Sequence, residues 1–251
     1  MPANNPPGIF PSSVSRDSLP YRPYFFSKAV MVLLATALVM LWLGEYTNID
    51  LLLADLFYDP NLQAFPWRHN WFAAVFVHQW MKYCLEVPGL LLFGMLLVDA
   101  ARPVFGISSF TRLRLRMVAL SALPIPLVIT LMKHFSVMEC PWDLERYGGS
   151  SSYLRLLEDI PPGWEAGHCF PAGYASTGLW LASIAIFWLP HAPAKAWRVF
   201  IAGLGLGVFL GLVQQARGAH FLTHTLWSVW IANALLLVIY AFFTWRMRQL
   251  R

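Results

Sequence analysis

The residues best suited to chemistry lie in Gln214-Gln215-Ala216-Arg217-Gly218-Ala219-His220-Phe221-Leu222-Thr223-His224, where an arginine and two histidines sit between two long apolar runs. Ionisable side chains at the edge of a membrane are costly to bury and mark functional sites by default. On a helix, the i, i+4 spacing of His220 and His224 puts both imidazoles on one face. An imidazole can attack as a nucleophile or pass a proton, and an arginine beside it can grip an anion through two parallel bonds. Two further polar stretches, Lys133 to Asp143 and His168 to Ser176, are expected to reach the same side of the membrane.

The elements that must carry these stretches follow from composition. The chain is 58% hydrophobic and 12% charged, against roughly 25% charged in a soluble domain. Several apolar runs approach the roughly 18 residues that suggest a spanning helix. These features predict an all-α, polytopic membrane protein. The net charge of +5 does not point to nucleic acid, because many of the basic residues flank apolar runs as topology determinants do. Residues 1–25, polar and rich in Pro and Ser without an apolar signal core, read as a disordered cytoplasmic tail. Residues 26–251 read as one membrane domain.

The apolar runs predict a six-helix transmembrane bundle with spans over 27–43, 83–99, 116–132, 172–189, 198–214 and 221–244. Residues 71–82 are expected as an interfacial lead-in, Leu51 to Tyr58 as a short interfacial helix, and Pro124 and Pro126 as a kink. His78 reads as an interfacial or packing histidine. Gly203, Gly205, Gly207 and Gly211 permit close helix approach. Grouped by loop, the basic residues are about twofold richer on the side of both termini, which predicts that side to be cytoplasmic. Segment 133–170, the start of the fourth span and the 214–224 turn then share the outer face, which is periplasmic in a bacterial inner membrane.

Taken in order, the three polar stretches resemble the motifs of the type 2 phosphatidic acid phosphatase family, K-x6-R-P, P-S-G-H and S-R-x5-H-x3-D. Lys133 is followed after six residues by Cys140-Pro141, the second motif falls on Pro171-Ala172-Gly173-Tyr174, and the third runs from Gln214 through His220 to His224. Lys133, Pro141, Pro171, Gly173 and His220 match the motifs. Cys140, Tyr174, Gln214 and His224 stand where the family has arginine, histidine, arginine and aspartate.

The resemblance implies a metal-independent lipid phosphate phosphatase or phosphotransferase without a cofactor. Its substrate class is a membrane lipid phosphate: lipid A phosphate, polyprenyl pyrophosphate, phosphatidylglycerol phosphate or phosphatidic acid. His220 becomes the nucleophile, passing through a phosphohistidine, and His224 takes the orienting place of the aspartate through a ring-nitrogen hydrogen bond. Lys133 holds a phosphate oxygen as a point charge. Beyond what the resemblance implies, Arg217, one turn before His220, is expected to replace a missing arginine by a bidentate grip. Backbone N–H groups near Gly173 add donors. Tyr174 falls where the family has its leaving-group acid. A phenol of ordinary pKa about 10 is a weak acid at neutral pH, so His168 is the expected alternative.

Cys140 and Cys169 each lie in or beside a motif, on the side expected to be oxidising. They either form a disulfide that joins the first motif to the second or stand as two free thiols; the bridge is the expectation. Cys84 reads as an unpaired membrane cysteine, and no Cys/His spacing suggests a zinc site. A second reading is a catalytically impaired relative that binds phospholipid headgroups or a membrane partner. A transporter lacks support, because the sequence has no inverted repeat.

Overall fold

Helices make up nearly all the regular structure of this chain, a computed structural model that describes residues 23–102 and 106–249. Among the described residues the only extended pairings are two isolated bridges, Asp59 with Ala64 and Leu144 with Ser151. The tail expected over 1–25 lies outside the described residues apart from its last three positions, which already belong to α1 (Pro23–Tyr46). A short helix α2 (Ile49–Asp55) follows where an interfacial helix is expected.

Among the described residues five helices are long and apolar enough to cross a membrane: Tyr24–Tyr46, Phe72–Ala101, Ser109–His134, Pro193–Ala216 and Leu222–Met247. Much of the surface of the first two is exposed large apolar side chains, among them Leu34, Leu38, Trp42, Leu90, Leu91 and Met95. Such a surface is stable only against lipid or another apolar partner. This is a membrane protein.

The second span differs from the expectation. Residues 72–81 are not a separate lead-in: a π-helical stretch, Phe72–Met81, runs without a break into α3, Lys82–Ala101. The stretch is apolar enough to stay in the span, and Trp71, Phe72, Phe76 and Trp80 pack ring on ring along it. The third span begins earlier than predicted, at α4 (Ser109–Ala122), where the Ser108 side chain accepts from the Thr111 N–H at 3.2 Å. It breaks at Leu123 and restarts as α5 (Pro124–His134), with Pro124 in the first turn, where a proline costs no hydrogen bond.

The fourth expected span is α6 (Gly173–Leu179), continued by a 3-10 helix over Trp180–Trp188. Both pack against α7 (Pro193–Ala216). The contact is close because α7 presents glycine to it. A Cβ on Gly203 would collide with the Ala182 backbone, and one on Gly207 with the Leu179 side chain. The last helix, α8 (Leu222–Gln249), lies against α1 and α7.

One end of the bundle is tied by a buried ion cluster. Asp99 in α3 accepts from Arg116 Nε at 3.0 Å and Nη2 at 2.6 Å, and its other oxygen lies 3.1 Å from Arg112 Nε. Arg114 donates to the Leu189 carbonyl and lies 3.9 Å over the Phe110 ring. The arginines that the sequence offers as topology markers therefore also join helices. Removing one partner of such a pair strands a buried charge. Asp99→Ala is expected to cost about 3–5 kcal/mol, read from unfolding of the purified protein in detergent. The double variant Asp99→Leu/Arg116→Met is expected to lose less than half of that.

The other end carries a cap built from residues 46–70 and 136–170. Ala54, Phe65, Leu144, Tyr147 and Phe221 form its buried centre. Arg146 grips the Asp55 carboxylate at 2.9 and 2.7 Å, and the Tyr147 hydroxyl donates to the same group at 2.9 Å. Arg155 reaches back to the Thr47 carbonyl at 2.7 Å and to Asn48 at 2.8 Å.

Candidate active site

The site starts from a chain reversal. At the end of α7 the Ala219 N–H donates to the Gln214 carbonyl and the Gly218 N–H to the Gln215 carbonyl, each at 2.9 Å. This pair of bonds is a Schellman motif, which needs a left-handed residue just past the helix. Gly218 supplies it with φ +76°. A Cβ there would also run into the Phe65 ring. The turn carries the chain from Arg217 to His220 and into α8 within a few residues.

A second constraint fixes the start of α8 from outside the helix. Asp50, in α2, is 3% exposed and accepts from the Thr223 N–H at 2.9 Å and from the Thr223 hydroxyl. It thus caps the helix from a distant segment, as a side-chain oxygen does at an N-terminus. Burial pushes the Asp50 carboxyl above its ordinary range, while the Thr223 hydrogen bonds and the nearby Arg155 pull it back. The second stretch is then stapled to the third. The Ala172 N–H donates to the His224 carbonyl at 3.1 Å, and the Ser228 hydroxyl donates to the Ala172 carbonyl at 2.9 Å.

These bonds bring the predicted residues together. His220 is 4% exposed and His224 fully buried, their rings edge to face with centroids 5.8 Å apart. The sulfurs of Cys140 and Cys169 are bonded, with Cα atoms 5.3 Å apart, so the first and second stretches are covalently joined. Cys169 Sγ lies 3.5 Å from His220 Nδ1. It also lies 3.1 Å from the Ala219 carbonyl, a sulfur–oxygen contact, since a disulfide sulfur has no proton to donate. The hydrogen bond expected between His224 and His220 is not made: neither His224 ring nitrogen has a well-formed partner. Burial first, then the neighbouring His224 and Lys133, hold the His220 imidazole neutral well below the ordinary histidine range.

The cations come from two sides. Lys133 ends α5, and a Cβ on Gly173 would lie 3.7 Å from its Cδ, so the lysine stem runs past the start of α6. Among the described residues no carboxylate pairs with its ammonium. Arg217 donates through Nη1 to Gln214 Oε1 at 2.8 Å and through Nε to the Arg68 carbonyl at 3.3 Å. The Gln214 amide nitrogen remains a buried donor without a partner.

Two predicted residues are placed differently from the expectation. The Tyr174 hydroxyl donates to the Val77 carbonyl, so its proton is committed. His168 is exposed and stacks on His134, ring centroids 5.5 Å apart. Its ring contacts lie with His134 rather than with the His220 cluster. In its stead, His78 stands beside Tyr174, with ring centroids 4.9 Å apart. Arg217, Lys82 and Lys133 lie within electrostatic reach of it. Its sequence signature was the i, i+4, i+8 row His78, Lys82, Glu86 in an otherwise apolar span. Arg68, over the Trp142 ring at 4.6 Å, and Asp50 were also missed, because their roles depend on contacts far along the chain.

Donor atoms of Cys169, His220 and His224 lie within 4.8 Å of one another, a distance compatible with a metal. With its sulfur bonded to Cys140, Cys169 has no thiolate to offer, and two imidazoles alone do not make a structural zinc site. The donor set fits phosphate better: a lysine, an arginine, an amide N–H and a neutral imidazole.

Comparison with known families agrees with this geometry. The sequence model of the PAP2 superfamily matches residues 114–248, more than half of the chain. Neither a curated protein nor a solved structure matches it.

The turn yields a direct prediction. Gly218→Ala places a side chain in a left-handed conformation and against Phe65, and is expected to cost at least about 1–2 kcal/mol. Thermal unfolding in detergent measures the loss, and phosphate release by the folded fraction should fall with it, because His220 hangs from this turn.

Proposed function

Since the chain belongs to the PAP2 superfamily, we propose that it hydrolyses phosphate esters or pyrophosphates of membrane lipids through a phosphohistidine at His220. The coarser statement, a membrane phosphatase, follows from family membership and the apolar helices. The observation that supports the finer one is the burial of His220 within electrostatic reach of Lys133, whose stem runs past the Gly173 turn, with Arg217 one turn earlier in the chain held by Gln214.

His220 Nδ1 faces Cys169 Sγ, so the tautomer protonated there presents the Nε2 lone pair to phosphorus. Attack forms the N–P bond while the P–O bond to the lipid breaks. Lys133 and the Arg217 guanidinium offset the charge on the equatorial oxygens, with Gln214 and the backbone N–H groups near Gly173 as neutral donors. Water then attacks phosphorus, the N–P bond breaks and inorganic phosphate leaves. Protein cations and donors supply the charge stabilisation, so the reaction needs no metal ion. His224 packs edge-on against the nucleophile and positions it sterically, in place of the expected ring hydrogen bond.

The proposed topology has six crossings. The α6 segment and its 3-10 continuation hold 16 residues, Gly173–Trp188. At rises of about 1.5 and 2.0 Å per residue they extend about 28 Å, close to the roughly 30 Å hydrocarbon core. The stretched 3-10 winding lets a short segment cross. Six crossings put both termini on the cytoplasmic side and the cap and site on the periplasmic side of a bacterial inner membrane. The Cys140–Cys169 bond favours the oxidising side.

A second reading, a relative that binds lipid headgroups without turning them over, is favoured by one observation: the Tyr174 proton is committed to Val77. The two readings separate in one assay. Purified protein in detergent with EDTA is expected to release phosphate from at least one of phosphatidic acid, phosphatidylglycerol phosphate, polyprenyl pyrophosphate and lipid A. His220→Ala should reduce that release by at least about 10⁴-fold, as loss of a nucleophile does. Headgroup binding without release from any substrate selects the second reading.

The buried nucleophile also sets a pH dependence. Protonation removes the Nε2 lone pair, and the His220 pKa is lowered, so inactivation is shifted to more acidic pH. The acid limb of kcat/KM should therefore lie below the ordinary histidine value of about 6.5. A limb at or above that value would contradict the burial argument.

A further inference from the structure

The proposed reaction leaves one proton without a source. Breaking the P–O bond to an alcohol expels an alkoxide, which must be protonated as it leaves. Tyr174 donates to the Val77 carbonyl, and His168 is stacked on His134 at the exposed edge of the site. His220 is the nucleophile, and His224 is enclosed behind it.

From the remaining groups we infer that His78 is the acid that protonates the leaving oxygen, an inference that rests on the phosphatase reading above. Three observations carry it. The His78 ring packs on Tyr174, the residue directly after Gly173, at 4.9 Å between centroids, and lies within electrostatic reach of His220, Lys133 and Arg217. Its Nδ1 is buried with no hydrogen-bond partner, which is costly for a polar atom with no task. It also sits in the π-helical stretch Phe72–Met81, a local winding that occurs frequently at functional sites. There the Lys82 N–H turns to the Gln79 carbonyl, and the Val77 carbonyl takes the Tyr174 hydroxyl instead. The same hydrogen bond that removes Tyr174 from the chemistry fixes the backbone beside His78, and the two rings lie 4.9 Å apart.

The step balances. The incoming phosphate anion draws a proton onto His78, whose charged neighbours are Arg217, Lys82 and Lys133, with Glu86 4.0 Å from Lys82. As His220 Nε2 bonds to phosphorus, that proton moves to the lipid oxygen and the alcohol departs. Neutral His78 then takes a proton from the attacking water, which becomes the fourth phosphate oxygen as the N–P bond breaks.

An acid that serves the leaving group matters in proportion to how poor that group is. The test compares a short-chain phosphatidic acid, whose leaving group is an alkoxide, with p-nitrophenyl phosphate, whose phenolate leaves unaided. Wild type, His78→Gln and Tyr174→Phe are assayed in the same detergent. Measured as kcat/KM, which covers only the steps up to release of the alcohol or phenolate, His78→Gln should lose about 100-fold or more on the alkyl ester and less than about threefold on the aryl ester, whose retained first step shows an intact fold. Tyr174→Phe should lose far less on the alkyl ester than His78→Gln does, because its hydroxyl braces the backbone beside His78 and is not the acid. Equal losses in kcat/KM on both esters with His78→Gln, or none, would overturn the role of His78 while leaving the phosphatase reading intact. Wild type inert towards both esters and towards every lipid of the panel above would instead remove the phosphatase reading and this inference with it.

Discussion

The arrangement depends on two hydrogen bonds between the start of α6 and α8. The Ala172 N–H donates to the His224 carbonyl, and the Ser228 hydroxyl donates back to the Ala172 carbonyl. Through them the second polar stretch is held against the third. The disulfide at Cys169 then draws the first stretch to the same place, and Asp50 pins the helix start from the cap. Each of these links is short and buried. In that setting an unmade hydrogen bond costs its full desolvation penalty, about 1–3 kcal/mol. The junction is therefore expected to hold its geometry while a lipid enters beside it.

The environment made by this junction suits a histidine nucleophile. Burial keeps His220 neutral, which preserves the lone pair, and the site supplies its positive charge from Lys133 and Arg217 at the rim. A free nucleophile and fixed cations are otherwise hard to combine, because a cation placed next to an exposed imidazole does not prevent water from screening both. The cap contributes by covering the end of the bundle. Its own ion pair, Arg146 with Asp55, is partly exposed, and the surrounding aromatic cluster of Tyr58, Phe65 and Tyr147 does more to hold it in place.

The sequence was most legible where periodicity and residue type agree. Apolar runs marked the long helices, and the order of Lys133, Gly173 and His220 pointed to the candidate site, because each residue type has a distinct chemical use. It was less legible where a role depends on a distant backbone atom. Tyr174 reads as a failing acid in sequence, yet in the structure it is a strut to Val77. Arg112 and Arg116 read as topology markers, yet they pair with Asp99. Asp50 is one loop acid among several until Thr223 is brought to it. His78 stands in a polar row with Lys82 and Glu86, but nothing local says that its ring packs on Tyr174. The expected break before α3 failed because an apolar stretch can wind on as π-helix, which a hydropathy pattern does not distinguish from an interfacial turn.

The central claim is that phosphorus passes through His220. Its most direct test is rapid-quench labelling with a phosphate-labelled lipid, digestion at alkaline pH, where phosphohistidine survives, and mass spectrometry of the peptide that contains residues 217–224. The account predicts a phosphoryl group on His220 that appears and decays at rates competent for turnover, and none in His220→Ala. Turnover with no phosphoryl group on that peptide, or with the label on another residue, would contradict it.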